Sequence, residues 1–214
     1  MLASGDINEK NSVVVIPTRV ANIASMMASL KRAGANPILN GTPEVINDAS
    51  HVVLPGVGTF QSGMQELLEL DIASTIIKRI SERKSTLCVC VGMQLLFSSS
   101  EESPGVKGLN IFPGKFKRFC HSVRVPQFGW NKVIVDNTNK DSNKDTVPLL
   151  TSGYAYFANS YRTTTPPKGA LVASAIYGEE FVAGFQVGKL LACQFHPELS
   201  GTWGQELIRK WLAS

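Results

Sequence analysis

Short, continuous apolar runs, each followed by a helical pattern, dominate the first hundred residues of the chain. Ser12–Ile16 reads SVVVI, and similar runs follow at His51–Leu54 and Thr86–Val91. Strands buried on both faces of a parallel sheet have this composition, because helices cover the sheet on either side. The helical spacing at Ala21–Leu30 and Phe60–Leu70 supplies such helices. The first half therefore predicts a parallel sheet with flanking helices.

The second half of the sequence is richer in short strands than the first. Alternating apolar and polar runs recur from Gly108 onward, and helical spacing returns only at Gln205–Leu212. The runs are Lys115–Phe119, Lys132–Val135, Ala155–Tyr161, Leu171–Ile176, Phe181–Val187 and Leu190–Phe195. They predict antiparallel or mixed strands added to the parallel core, with polar loops at Asp136–Asp145 and Thr163–Gly169. We therefore predict one α/β domain spanning residues 1–214, with a strand-rich C-terminal half.

Composition excludes several classes of protein. With 43% hydrophobic and 18% charged residues among 214, the chain can build a core and does not resemble a disordered polymer. No apolar run approaches the ~18 residues that a membrane helix needs. The N-terminal MLASGDINEKN lacks the apolar segment of a secretory signal. A soluble cytoplasmic protein that binds no membrane is therefore expected.

The net charge of +4 is small, and the charged residues are scattered. The densest basic cluster comprises Lys115, Lys117, Arg118 and Arg124. A nucleic-acid-binding protein usually shows a longer basic stripe and a recognisable reading motif, so nucleic acid is not an expected partner. The cluster is interpreted as a solvated strand edge, or as a surface that meets a phosphorylated ligand or an acidic partner.

The four cysteines, Cys88, Cys90, Cys120 and Cys193, do not form a recognisable framework. They are too few and too irregularly spaced for a disulfide scaffold in a chain of this length. Without neighbouring histidines they also make a poor zinc site, and no metal or cofactor is expected. Most of them are interpreted as small buried hydrophobic residues.

Cys90 has a different setting, because the apolar run Thr86–Val91 leads directly into a helix-like segment, Gly92–Phe97. A nucleophile at such a junction is pushed out above the sheet in a strained turn that small neighbours permit. The helix N-terminus beyond it favours the thiolate over the thiol. Cys90 is therefore a candidate nucleophile; the alternative is one more buried strand cysteine.

A second candidate group lies in the segment Gln194–Glu198, which reads QFHPE. At the side-chain period of a strand, His196 and Glu198 point the same way from the strand end. A carboxylate beside an imidazole fixes its tautomer and stabilises its charged form, and the imidazole can then exchange a proton with a thiol. Alternatively, His196 lies in a turn before Pro197 and Glu198 is solvated. A cysteine elbow in the same chain favours the catalytic interpretation.

The turn Pro55–Gly58 ends another predicted strand and could serve as an oxyanion site. Gly56 and Gly58 flank Val57 and let its backbone amide swing toward the crevice above the sheet, where ligands bind in such folds. Near Cys90, that amide could hold the oxyanion of a tetrahedral intermediate. The alternative is a plain strand-to-helix turn. A phosphate-binding loop is less favoured, because no Lys-Ser or Lys-Thr pair follows the glycines.

Four stretches together carry a resemblance to a known family. They are Leu54–Phe60 (LPGVGTF), Val89–Phe97 (VCVGMQLLF), Tyr156–Tyr161 (YFANSY) and Gln194–Gly201 (QFHPELSG). The chain resembles the class I (triad) glutamine amidotransferases, and within them the glutaminase subunits of imidazole glycerol phosphate synthases. The resemblance extends over most of the chain and implies a flavodoxin-like mixed sheet with flanking helices.

The resemblance also implies an activity. Cys90 would attack the side-chain amide of glutamine, with His196 as base and acid and Glu198 orienting it. An oxyanion strand would comprise Gly56, Val57 and Gly58, and the substrate would lie among Gln94, Ser160 and Tyr161. Ammonia would pass to a (β/α)8-barrel cyclase subunit in a heterodimer of histidine biosynthesis. Because family members hydrolyse little glutamine until that cyclase is loaded, the oxyanion loop is expected to be a switch.

Three positions depart from the family pattern. The first loop usually reads D-Y-G-x-G-N-x-x-S, whereas Pro17–Ser25 keeps only Asn22 and the final serine. Cys88 replaces a glycine before the nucleophile, and Asn159 replaces a frequent histidine. The altered loop leaves open a paralogous amidotransferase that feeds another synthase, as in surface-sugar modification. A non-catalytic scaffold is a further alternative, although retention of all the candidate catalytic residues argues against it.

Overall fold

The computed structural model describes residues 11–18, 22–135 and 147–214. The predicted loop at Asp136–Asp145 lies outside these residues, as do Arg19, Val20 and Ala21, which belong to the altered first loop. Within the three described ranges, no helix is long and apolar enough to cross a membrane.

Twelve strands and six helices make up the described chain, with one further 3-10 turn at Pro197–Leu199. The strands are β1 (Ser12–Val15), β2 (Asn36–Leu39), β3 (His51–Leu54), β4 (Ser85–Val89), β5 (Phe97–Ser100), β6 (Phe112–Arg118), β7 (Gln127–Val135), β8 (Gly153–Asn159), β9 (Tyr161–Arg162), β10 (Leu171–Tyr177), β11 (Glu179–Val187) and β12 (Leu190–Cys193). The helices are α1 (Ile23–Arg32), α2 (Pro43–Asp48), α3 (Phe60–Glu69), α4 (Ala73–Ser81), α5 (Val91–Gln94) and α6 (Gly201–Leu212).

Nine of the strands form one mixed sheet in the order β2-β1-β3-β4-β12-β11-β10-β7-β8. The first five are parallel, and the remaining pairs are antiparallel. The parallel half has the flavodoxin-like strand order. The predicted mixed sheet, with its strand-rich C-terminal half, is therefore confirmed. Strands β5, β6 and β9 form a second, three-stranded sheet.

The apolar runs form the centre of the parallel half of the sheet because their side chains are buried on both of its faces. All residues of β1 and β4 are buried, and helices α1, α3 and α4 turn their apolar sides inward. Arg79 of α4 is also fully buried and donates hydrogen bonds to the carbonyls of Ile46, Ala49, Ser50 and Ser85. This one side chain therefore ties the end of α2 and the starts of two neighbouring strands together.

Several predicted boundaries were wrong. The strand expected at Thr86–Val91 ends at Val89, and the helix that follows Cys90 ends after four residues. Phe97, expected in that helix, instead begins β5, because its ring is buried against those of Phe116 and Phe185. Helix α2 was not predicted, because it is short and buries only one residue.

The basic cluster lies on and beside β6, which pairs with a strand on each side. Interpretation of the cluster as a strand edge was therefore wrong, although its lysines and arginines are exposed. Lys115 Nζ lies 3.7 Å from Glu101 Oε1. Phe116, the next residue along the strand, points to the opposite face and is buried. The alternation of basic and aromatic residues in β6 therefore reflects the exposed and buried faces of an interior strand.

Candidate active site

Cys90 occupies a sharp turn between β4 and α5, as the elbow hypothesis requires. Its φ of +53° lies in the left-handed region that few residues other than glycine adopt. The turn is fixed from both sides: the Cys90 N–H donates to the carbonyl of Cys193 at 2.7 Å, and the Cys90 carbonyl accepts from Met93 at 3.0 Å. Strain of this kind costs about 1–3 kcal/mol and persists only where the surroundings enforce it.

Two glycines allow the elbow to pack directly on the loop after β3. A Cβ at Gly92 would lie 2.3 Å from the carbonyl oxygen of Leu54, and one at Gly56 would lie 2.4 Å from the Gly92 nitrogen. Backbone therefore meets backbone at this contact, and no larger residue fits at either position without displacing the elbow. The contact sets the height of Cys90 above the sheet.

His196 and Glu198 follow β12, the neighbour of β4 in the sheet. His196 Nδ1 lies 2.9 Å from Glu198 Oε1, and both side chains are almost fully buried. The structure thus brings the two residues together, but not by strand alternation as expected: Glu198 lies in the 3-10 turn Pro197–Leu199. The turn brings the carboxylate back towards the imidazole.

A serine holds the backbone of His196 against β8. The His196 N–H donates to the carbonyl of Tyr156 at 2.9 Å. The Ser200 hydroxyl donates to the His196 carbonyl at 2.6 Å and accepts from the Tyr156 N–H at 3.0 Å. The imidazole is therefore fixed by its own backbone as well as by Glu198.

Electrostatic effects on His196 oppose one another. Burial lowers its pKa, but the hydrogen bond to the Cys90 thiol, the hydrogen bond to Glu198 and the charges of both groups raise it to about 10 from 6.5. The imidazole therefore interacts with Cys90 on one side and Glu198 on the other. This arrangement favours the protonated ring, so His196 can hold the proton that the Cys90 thiol gives up.

The other two cysteines at the centre of the sheet are too deeply buried to act as nucleophiles. Cys88 and Cys193 are wholly buried, and burial raises the pKa of both thiols. A thiol held in this state is a poor nucleophile. Of the three cysteines at the centre of the sheet, only Cys90 lines the cleft.

A cleft of about 170 Å³ opens above Cys90 and His196. Several predicted site residues line this cleft, namely Val57, Gly58, Gln94, Ser160 and Tyr161. Gly56 does not. Its carbonyl instead accepts a hydrogen bond from the Val91 N–H at 3.3 Å, so it packs against the elbow.

Sequence reasoning missed one charged residue of the cleft, Glu102. Its Oε2 accepts a hydrogen bond from the Phe60 N–H, at the start of α3, at 2.7 Å. Burial raises the pKa of this carboxyl, and the hydrogen bond from Phe60 partly offsets the effect. The only sequence signal was an acidic pair in a polar run, which is typical of any exposed loop. Within the described residues, no group of three or more His, Cys, Asp or Glu side chains could hold a metal ion.

Comparison with known proteins adds independent information. The family described as "Glutamine amidotransferase class-I" matches residues 21–214. The "Imidazole glycerol phosphate synthase subunit HisH" of Halobacterium salinarum is 35% identical over 208 residues, covering 94% of this chain and 92% of the relative. The subunit of the same name from Methanothermobacter thermautotrophicus is 34% identical over 202 residues, covering 94% and 97%. A crystal structure of a glutamine amidotransferase superposes with a TM-score of 0.70 at 21% identity, covering 94% of this chain and 97% of that one, and supports the fold.

Proposed function

This chain belongs to the class-I glutamine amidotransferases and, within them, to the HisH subunits of imidazole glycerol phosphate synthase, and from that premise we propose its reaction and its partner. It hydrolyses glutamine to glutamate and ammonia through Cys90, His196 and Glu198. The ammonia passes to a (β/α)8-barrel cyclase subunit with which the chain forms a heterodimer in histidine biosynthesis.

One observation carries the proposal: a buried Glu198–His196 pair beside a cysteine held in a strained elbow at the floor of a cleft. The Cys90 sulfur, with its proton already transferred to His196, attacks the amide carbon of glutamine as the thiolate. His196 returns that proton to the leaving nitrogen, so ammonia departs and a γ-glutamyl thioester remains. Water then adds to the thioester with His196 as base, and the collapse releases glutamate and the thiol.

The cleft has acceptors suited to the α-ammonium group of glutamine. Glu102 supplies a carboxylate, and Oε1 of Gln94 has no hydrogen-bond partner among the described residues. Ser160 and Tyr161 line the same cleft. We assign Glu102 to the substrate ammonium, because a half-buried carboxylate gains most from a charged partner.

The oxyanion site requires a rearrangement. The amide of Val91, next to the nucleophile, is bonded to the Gly56 carbonyl, whereas the amide of Val57 has no acceptor within the described part of the chain. An oxyanion needs free donors at about 2.7–3.1 Å. Opening the Val91–Gly56 hydrogen bond would free a second donor beside Cys90, which supports the expectation that the loop Gly56–Gly58 is a switch.

This chain presents a candidate docking face for the partner beside the cleft. Strands β7, β8 and β10 expose Phe128 (73% accessible), Trp130 (56%), Tyr154 (61%) and Ile176 (63%). Phe128 pairs across the sheet with Ala158, a residue of the cleft wall. Exposed aromatic patches of this kind mark protein interfaces. Because the patch reaches the cleft, a synthase seated on it would receive ammonia directly.

All four cysteines carry free thiols, and such thiols persist in a reducing compartment. We therefore also propose a cytoplasmic location, as expected from the sequence.

A second candidate is a paralogous amidotransferase that feeds a different synthase. The observation that favours it is the loop Pro17–Ser25, which lacks most of the family pattern. The two candidates share the glutaminase chemistry and differ only in the acceptor of ammonia.

The experiment uses the complex co-purified from the source cell. Glutamate release is measured with and without the phosphoribosyl-linked precursor of the cyclase. Stimulation by that precursor is expected, and its absence would favour the paralogue. Cys90→Ser should abolish glutamate release while the complex still uses added ammonium salt. The matched variant Cys88→Gly should keep the chemistry. Turnover retained by Cys90→Ser would contradict the triad.

A further inference from the structure

Behind the cleft, a buried glutamine connects two residues that line it. Gln94 Nε2 donates to Gln194 Oε1 at 3.1 Å, and Gln194 Nε2 donates to Cys90 Sγ at 3.6 Å. Gln94 and Cys90 are cleft residues, whereas Gln194 lies outside the lining and is inaccessible to solvent. The three side chains therefore form a hydrogen-bonded chain that begins and ends at the cleft surface.

The orientation of the Gln194 amide decides its effect on the sulfur. An N–H donor favours negative charge on its neighbour, whereas an amide oxygen at the same place would oppose it. In the structure the Gln94 N–H donor engages the Gln194 oxygen, so the Gln194 nitrogen faces Cys90. In a buried setting a hydrogen bond to a charged acceptor is stronger than one between neutral groups.

We propose that Gln194 is a further catalytic residue, whose side-chain N–H stabilises the thiolate of Cys90, and that Gln94 is the positioning residue that holds this amide in its productive orientation. The thiol proton still goes to His196, so Gln194 supplies a hydrogen bond and exchanges no proton. This inference rests on the proposed function, because it takes Cys90 as the nucleophile. It gives Gln94 a second task besides contact with the substrate.

The test measures alkylation of Cys90 by iodoacetamide, which reacts with the thiolate and not with the thiol. All proteins carry Cys120→Ser, because Cys120 is partly exposed and would react as well. Cys88 and Cys193 are buried, and burial raises the pKa of both thiols, so they contribute little. Mass spectrometry of the peptide that contains Cys90 follows the reaction between pH 5 and pH 9.

Gln194→Met keeps the approximate size of the side chain and removes the donor. Alkylation of Cys90 near neutral pH should slow about tenfold, and the half-maximal pH should move upward. Gln194→Glu, with the same shape and a negative charge, should slow it further. In glutamate release, kcat should fall while KM for glutamine stays within about twofold, because Gln194 does not line the cleft.

The matched control is Gln186→Met. Gln186 is equally a buried glutamine, but it bonds to Leu149, Val147 and Gly188 outside the cleft. This variant should lose stability and leave alkylation of Cys90 unchanged. A purely structural role for Gln194 predicts the same result for Gln194→Met.

A double-mutant cycle tests the role of Gln94. Gln94→Met should slow alkylation about threefold, and adding it to Gln194→Met should cause no further loss, because the two residues act in series. Multiplicative losses would overturn the positioning role. Folded Gln194→Met and Gln194→Glu proteins that react like the parent would overturn the catalytic role. If Gln194→Met does not fold, Gln194→Glu alone decides. A parent protein that is not alkylated at Cys90 would contradict the proposed function instead.

Discussion

Gly92→Ala tests whether the backbone contact under the elbow controls catalysis. Two effects of this substitution have opposite signs. Gly92 lies in α5 and has no positive φ, so alanine should stabilise the helix by about 0.5–1 kcal/mol. The added Cβ, however, would lie 2.3 Å from the Leu54 carbonyl oxygen, roughly 1 Å inside an ordinary van der Waals separation.

The steric effect should win. The Leu54 oxygen belongs to β3, which is paired with β4 at Cys88, so neither side can retreat without moving a central strand. Overpacking of this kind costs about 1–3 kcal/mol, which leaves a net loss of up to about 2.5 kcal/mol after the helix gain of about 0.5–1 kcal/mol. A displacement near 1 Å at Cys90, the proposed nucleophile, should also lower kcat about 100-fold.

Urea unfolding gives the free energy of unfolding, and glutamate release by the co-purified complex gives kcat. Gly63→Ala is the matched control, because Gly63 is also helical but its added Cβ would meet only side-chain atoms of Leu95 and Val91, at 3.0 Å or more. That variant should change both quantities little. A Gly92→Ala protein as stable and as active as the wild type would refute the reasoning.

Three further perturbations address charge, burial and docking. The raised pKa of His196, about 10 against 6.5, means that its stabilising contribution is complete below pH 6.5 and is lost as pH rises through 10. Glu198→Gln should make this decline in the free energy of unfolding shallower than in wild type, and an equal slope in urea titrations would contradict the assignment. Arg79→Lys should lower the free energy of unfolding by about 3 kcal/mol, because it leaves buried carbonyls unpaired, whereas the exposed Arg32→Lys should change it little. Trp130→Ala should weaken binding of the synthase partner about thirtyfold or more by calorimetry without loss of stability; unchanged affinity would exclude this face.

The sequence predicted the parallel half of the fold well because its strands are buried on both sides. The valines of β1 and β3 have no exposed surface, so their identity records their environment directly. The ends of helices and strands were less predictable where contacts with distant parts of the chain determine them. Helix α5 stops early because Phe97 packs against aromatic residues that arrive from β6 and β11, far along the chain. No local pattern contains that information.

Some residues of the candidate site could be predicted from local sequence, whereas others are placed only by tertiary contacts. Cys90 and His196 could be identified because the turns that hold them leave local signals, a strand leading into a glycine and an apolar run ending in His-Pro-Glu. Glu102 could not, because it reaches the cleft from a polar segment whose composition is typical of any loop. Gln194 was visible in the sequence, but its contact with the sulfur depends on the pairing of β12 with β4.

The departure at Cys88 shows how sheet register accommodates a change near a nucleophile. Cys88 pairs with Leu54 on one side and with Ala192 on the other, and it is completely buried. Because its neighbour in β12 is the small residue Ala192, we expect little crowding of the thiol at this level of the sheet. The height of Cys90 is set separately, by the contact of Gly92 with the Leu54 carbonyl. Because different atoms surround Cys88 and set the position of Cys90, we expect a glycine at position 88 to be replaceable and the glycine at position 92 not to be.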